Sequence, residues 1–135
     1  MNFPKYFTPY EANQMLPFVK KIVDEILKRG QELKTLVAAG PQPAMEQRSH
    51  ALVAEIEELM AEIETLGCFF KDWNFQIGLV DFPAVIEGEE VFLCWRSDEK
   101  DLRWYHAIDD GYASRRPIPE HWLIEVDWEN GRHAP

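Results

Sequence analysis

A seam of mostly apolar positions advances in alternating steps of three and four residues through Leu16, Val19, Val23, Ile26, Gly30, Leu33 and Val37. It recurs at Met45, Ser49, Leu52, Ile56, Leu59, Ile63 and Leu66. This period predicts two helices paired in coiled-coil fashion, and Ala39-Gly40-Pro41-Gln42-Pro43 between them predicts a reversal into an antiparallel hairpin spanning 8–66. At its start, Thr8 can cap, Pro9 suits the first helical position, and Glu11 can close a capping box. Pro17 falls inside the pattern and predicts a kink or a short first helix. A helix continuing to Ala39 would measure about 45 Å, more than a small sheet covers, and Gly30 in its seam would admit a second backbone at close range.

Beyond Leu66-Gly67 the period becomes twofold, predicting a sheet over 67–128 and a frayed tail over 129–135. Leu79 to Ile86 and Glu90 to Arg96 flank a break at Glu87-Gly88-Glu89. A two-residue turn there pairs Ala84 with Val91, Phe82 with Leu93 and Val80 with Trp95, and places Asp81 across from Cys94 on the opposite face. Pro83 cannot donate to a ladder, which predicts an edge or bulged strand. A third strand, Leu102 to Ala107, follows the polar turn Ser97-Asp98-Glu99-Lys100. Pairing Arg96 with Asp101 would put Leu102, Trp104 and His106 on the apolar face and Arg103 and Tyr105 beside Asp81, Cys94 and Arg96; a loop one residue longer exchanges the two faces. Asp109-Asp110-Gly111 predicts another turn, and the alternation of Trp122, Ile124, Val126 and Trp128 with polar neighbours a last strand. The expected architecture is a single α+β domain over 1–135, a two-helix hairpin followed by a small antiparallel sheet of three to five strands.

At 135 residues the chain can bury a core without disulfides or metals, and 46% hydrophobic with 28% charged residues is far from the composition of disorder. Cys68 and Cys94 fit no CxxC pattern and are expected reduced and packed. No stretch has the length of a membrane span, and the opening Met-Asn-Phe-Pro-Lys-Tyr lacks the form of a signal peptide, so a cytoplasmic location and no membrane partner are expected. A net charge of −10 opposes nucleic-acid binding. Charge also divides between the helices: residues 20–34 hold five basic and three acidic side chains, residues 46–64 one and six. Opposite signs suit antiparallel neighbours, though exposed pairs contribute only about 0.3 to 0.5 kcal/mol each.

Tyr6-Phe7-Thr8, Glu11-Ala12-Asn13, Leu16-Pro17, Gly78 to Ala84, Leu93-Cys94-Trp95-Arg96, Trp104-Tyr105-His106 and Gly111-Tyr112 with Arg115-Arg116-Pro117-Ile118 occur in an order that resembles the prokaryotic family known as domain of unknown function 2203. The resemblance spans about residues 6 to 118 and implies a small cytosolic bacterial protein with helices first and strands after. It carries no activity, substrate or catalytic residue to transfer, and the Trp-rich segment after Ile118 lies outside it.

Chemistry-bearing residues gather at Asp81, Arg96, His106, Arg115 and Arg116, with Cys94 and Tyr105 close by in the pattern. A carboxylate, an imidazole and guanidinium groups beside aromatics could hold a small anionic ligand or move a proton. Each also has a plainer reading: Asp81 with Arg96 as a cross-strand ion pair, His106 as a satisfied core histidine, Arg115 and Arg116 as carbonyl or interface contacts, and Cys94 as a small buried hydrophobe. His50, His106, His121 and His133 form no ligand motif, so no metal is expected, and no glycine-rich phosphate loop is present, so no cofactor is expected. Two functions of different class follow. The preferred one is a non-enzymatic homo-oligomeric binding or scaffolding module, with another copy or another protein on the hairpin or the acidic last strand. The alternative is a small anionic-ligand-binding protein or enzyme with its site at Asp81, Arg96, His106, Arg115 and Arg116.

Overall fold

Helix α1, Pro9–Ala38, begins where the sequence places it: the Thr8 side chain accepts from the Glu11 amide and the Glu11 carboxylate accepts from the Thr8 amide. The computed structural model describes residues 2–71 and 74–124. Helix α2, Pro43–Thr65, returns antiparallel to α1. Five antiparallel strands follow in the order β1-β2-β3-β4-β5: β1 Phe69–Phe70, β2 Leu79–Ile86, β3 Glu89–Arg96, β4 Trp104–Ala107 and β5 Arg116–Pro117. Two helices followed by a five-stranded antiparallel sheet make an α+β fold.

The predicted seams are buried from Leu16 to Gly30 and at Leu52, Ile56 and Ile63, while Val37 at the far end is exposed. Leu16, Val19, Val23 and Ile26 of α1 and Ile56 and Ile63 of α2 join Val80, Phe82, Ala84, Val91, Leu93 and Trp95 in one core. Arg29 bonds Glu55 at 2.8 Å, a cross-helix pair in the sense of the uneven charge, while Arg48 bonds Glu32 at 2.8 Å in the opposite sense. Pro17 does not shorten α1; it sits on the exposed side, where the carbonyl it leaves without a donor can turn to water. Gly30 does admit a close neighbour, but that neighbour is the Phe75 ring instead of a second backbone: a β-carbon at Gly30 would lie 2.1 Å from it.

The β2–β3 hairpin has the register expected from its turn. Glu87 and Gly88 take φ of 53° and 83°, the geometry of a two-residue type I′ turn, and Ala84–Val91, Phe82–Leu93, Val80–Trp95 and Asp81–Cys94 all pair. Pro83 is tolerated because its backbone faces away from β3, beyond the end of the short β1, where its carbonyl accepts from the Phe7 amide at 2.7 Å.

Strand β4 corrects the expected pairing. Cys94 faces Trp104, Leu93 faces Tyr105 and Phe92 faces His106, one residue on from the Arg96–Asp101 register. The cause lies in α1. Asn13 accepts from the Leu102 amide at 2.8 Å and donates to the Leu102 carbonyl at 3.0 Å, so Leu102 is fully buried as a loop residue tied to the helix and the ladder restarts only at Trp104. Trp104 and His106 thereby leave the helix-facing side of the sheet, and Tyr105 joins it, packing near Trp122. The expected last strand is corrected as well: Trp122 closes a short 3-10 turn, Glu120–Trp122, and the edge strand is β5; Val126 and Trp128 lie outside the described residues.

The other sheet face is covered by the N-terminal arm. The Phe3 ring packs 5.8 Å from Phe69 and 5.3 Å from Phe92, while Tyr6 and Asn2 bond the Glu90 carboxylate. An Asn13→Ala substitution removes both ties to Leu102 and leaves its buried peptide groups unpaired, so urea unfolding should show a loss of about 2 to 4 kcal/mol. Amide exchange at Leu102 should rise along with it; an unchanged midpoint and protected Leu102 would remove Asn13 from this role.

Candidate functional site

On the face away from the helices, alternation along three adjacent strands puts Asp81 of β2, Cys94 of β3 and His106 of β4 side by side. All three are buried, and Asp81 and His106 are the only buried polar or charged side chains among the described residues. One donor atom from each lies within 4.8 Å of the others. His106 Nε2 stands 3.4 Å from Asp81 Oδ1, and its Nδ1 lies 2.8 Å from the Ala107 carbonyl oxygen. The carbonyl can only accept, so Nδ1 carries a proton and Nε2 is aimed at the Asp81 carboxylate.

This company decides the charge of the imidazole. Bonding to Asp81, and next to Cys94, raises the His106 pKa to about 10 against the opposing effect of burial, so the ring is an imidazolium at neutral pH. Burial is the largest influence on both cysteines: it raises the Cys94 thiol, against the lowering effect of its bond with His106, and pushes Cys68, packed at the helix end, up to about 12. A protonated thiol is a poor nucleophile. The order of groups also differs from that of a catalytic triad, because the carboxylate meets the same ring nitrogen that a triad reserves for the nucleophile, and a backbone carbonyl takes the other.

The three residues form the floor of a pocket of about 200 Å³ whose walls include Lys71, Phe92, Ile108, Asp110 and Tyr112. Tyr112, on the 3-10 turn Tyr112–Ser114, joins this pocket to an adjoining hollow that holds Arg96. Its hydroxyl accepts from the Arg96 guanidinium, and the Arg115 guanidinium lies 4.3 Å above its ring. The structure therefore gathers Asp81, His106 and Cys94 directly and brings Arg96 and Arg115 to the rim through Tyr112.

Neither rim guanidinium is a free cation. Arg96 makes two bonds to Asp98, at 2.6 and 2.7 Å, and Arg115 makes two to Glu99, both at 3.0 Å. Asp81 is thus partnered by His106 and not by Arg96. Arg116 stands apart: it is exposed, on the helix-facing side of the sheet, 5.1 Å above the Tyr105 ring. Sequence reasoning missed Tyr112 and Lys71 as pocket walls. The Arg96–Asp101 register puts Cys94 and His106 on opposite faces, and the length of the β3–β4 loop is the signal that unites them.

Residues 5–118 match the family described as an uncharacterized conserved protein, domain of unknown function 2203. The chain belongs to this family. The match covers both helices and all five strands, and with them every residue of the pocket floor. No curated protein matches the chain, and no solved structure does. Within this family member, no helix among the described residues is long and apolar enough to cross a membrane.

The His106–Asp81 pair has a stated pH signature. A folded pKa of about 10 against 6.5 when unexposed to these partners means that the pair's stabilisation is complete below about 6.5 and is lost as pH rises through 10. Following the His106 ring by NMR, its titration should fall near 10 in the native chain and move down toward 6.5 in Asp81→Asn. A native ring that titrates near 6.5 contradicts the pairing.

Proposed function

We propose that this chain is a small-ligand-binding module that works through the pocket over Asp81, Cys94 and His106 and without covalent catalysis. One observation carries the reading: among the described residues, the two buried polar side chains and a buried thiol converge on the floor of a single opening to solvent. Burying a carboxylate and an imidazole costs free energy that apolar residues of similar size would not, so their retention together under a pocket marks a site better than it marks a support. Tyr112, with Arg96 and Arg115 beside it, forms a polar rim past which a ligand enters. The paired state of both arginines favours a ligand recognised at the pocket floor over an anion clamped between guanidinium groups.

A second reading, self-association of the hairpin, is favoured by its outer half. Between Gly30 and Leu52 no side chain is fully buried, and Val37 remains 69% exposed beside a shallow hollow lined by Leu36, Pro41 and Met45. Another copy is the occupant this reading requires, in the cytoplasm of a bacterial cell.

Differential scanning of the chelator-treated protein against small carboxylates, phosphates and amines tests the first reading. A ligand at about ten times its Kd should raise Tm by about 4 °C in the native chain and not in Asp81→Asn. A panel that leaves Tm unmoved, or shifts both proteins alike, contradicts it. For the second reading, light scattering should give more than the monomer mass, returning to the monomer in Val37→Glu; a native monomer at high concentration rejects it.

A further inference from the structure

We infer that Asp81, Cys94 and His106 form a binding site for one divalent transition-metal ion of the zinc class, with an open coordination position facing the pocket. The inference rests on the proposed ligand pocket and names the first thing it holds.

The donor set is one thiol sulfur, one imidazole nitrogen and one carboxylate oxygen, each from a different strand. Sulfur and nitrogen together favour zinc, cobalt or copper over magnesium or calcium, which demand oxygen. Three protein ligands and a fourth, unfilled direction is the pattern of an ion that handles an exchangeable ligand, whereas purely supporting sites use four. The pocket of about 200 Å³ above the three donors supplies that direction.

The surroundings agree with the donors. The Ala107 carbonyl holds Nδ1–H at 2.8 Å, which fixes the ring and leaves Nε2 for the ion; a ligating histidine is ordinarily braced in this way. Aromatic rings enclose the floor, with Phe92 centred 5.7 Å from His106 and Phe3 and Phe69 behind it. Charge closes the argument. A divalent ion with one thiolate and one carboxylate has no net charge, so the loaded site suits this buried place. Tetrahedral bonds to these donors need them about 3.5 Å apart; His106 Nε2 and Asp81 Oδ1 already stand 3.4 Å apart, and all three donors lie within 4.8 Å. On binding, the Cys94 thiol proton and the proton on His106 Nε2 leave to solvent, and no electron moves.

Titrating the full, untagged chain with cobalt(II), with no organic ligand present, tests this. One equivalent should bind with a near-ultraviolet thiolate-to-cobalt band, and zinc should displace it. The band should vanish in Cys94→Ser and persist in Cys68→Ser, and Asp81→Asn should weaken binding by about tenfold or more. Zinc should also move the Nε2 resonance of His106 in the native chain, a readout that needs no variant to fold. No band in the native protein, a band that survives Cys94→Ser, or zinc shifts only at His50 or His121 overturns the inference. If cobalt fails while the chelator-treated protein still responds to an organic ligand, the metal is excluded and the pocket stands; if both fail, the pocket reading falls too.

Discussion

The grip of Asn13 on both peptide groups of Leu102 sets where the fourth strand begins, and the rest of the site follows from that. A side-chain amide on the first turns of a helix is matched to one residue of a loop on the sheet, so helix and sheet share a single alignment. Because strand side chains alternate with a period of two, moving β4 by one residue would swap every one of its side chains between faces. With the observed start, Tyr105 goes to the helix side and Trp104 and His106 go to the side of Asp81 and Cys94. Two hydrogen bonds worth a few kcal/mol thus support the register that brings the polar cluster together.

The two faces of the sheet are stabilised differently. One is packed by the apolar stripes of both helices and needs little beyond area and fit. The other lacks a helix. It is closed by Phe3 and the Tyr6–Glu90 bond at one end and by Tyr112 with two arginines at the other, and between these covers lies the pocket. A sheet face covered by a short arm and a loop can be opened locally at little cost, unlike one sealed under helices, and such places are where proteins put their sites.

How much of this could be read from the amino acids depended on how local each cause was. Thr8 and Glu11 announce the start of α1 because the capping box is complete within four residues. The β2–β3 register is legible because Glu87-Gly88 fixes the loop length and the alternation on both sides agrees with it. The β3–β4 register is not, since the loop is long and its length in space is set by Asn13, 89 residues away in the chain. Gly30 shows the same limit: a glycine in a seam foretells a close neighbour, but not that Phe75 from a distant loop is the one. The site was legible as a set of residues and not as an arrangement. Asp81 and Arg96 invited an ion pair, yet Asp98, two residues from Arg96, takes the guanidinium first, and His106 is left to Asp81.

The central claim is that β4 presents His106, and not Tyr105, to Asp81 and Cys94. Side-chain NOEs in the isotopically labelled chain test it most directly. The account predicts contacts from the His106 ring to Phe92 and Cys94, with the Tyr105 ring against Trp122. A Tyr105 ring in contact with Cys94, with His106 against Trp122 and the helices, would contradict it.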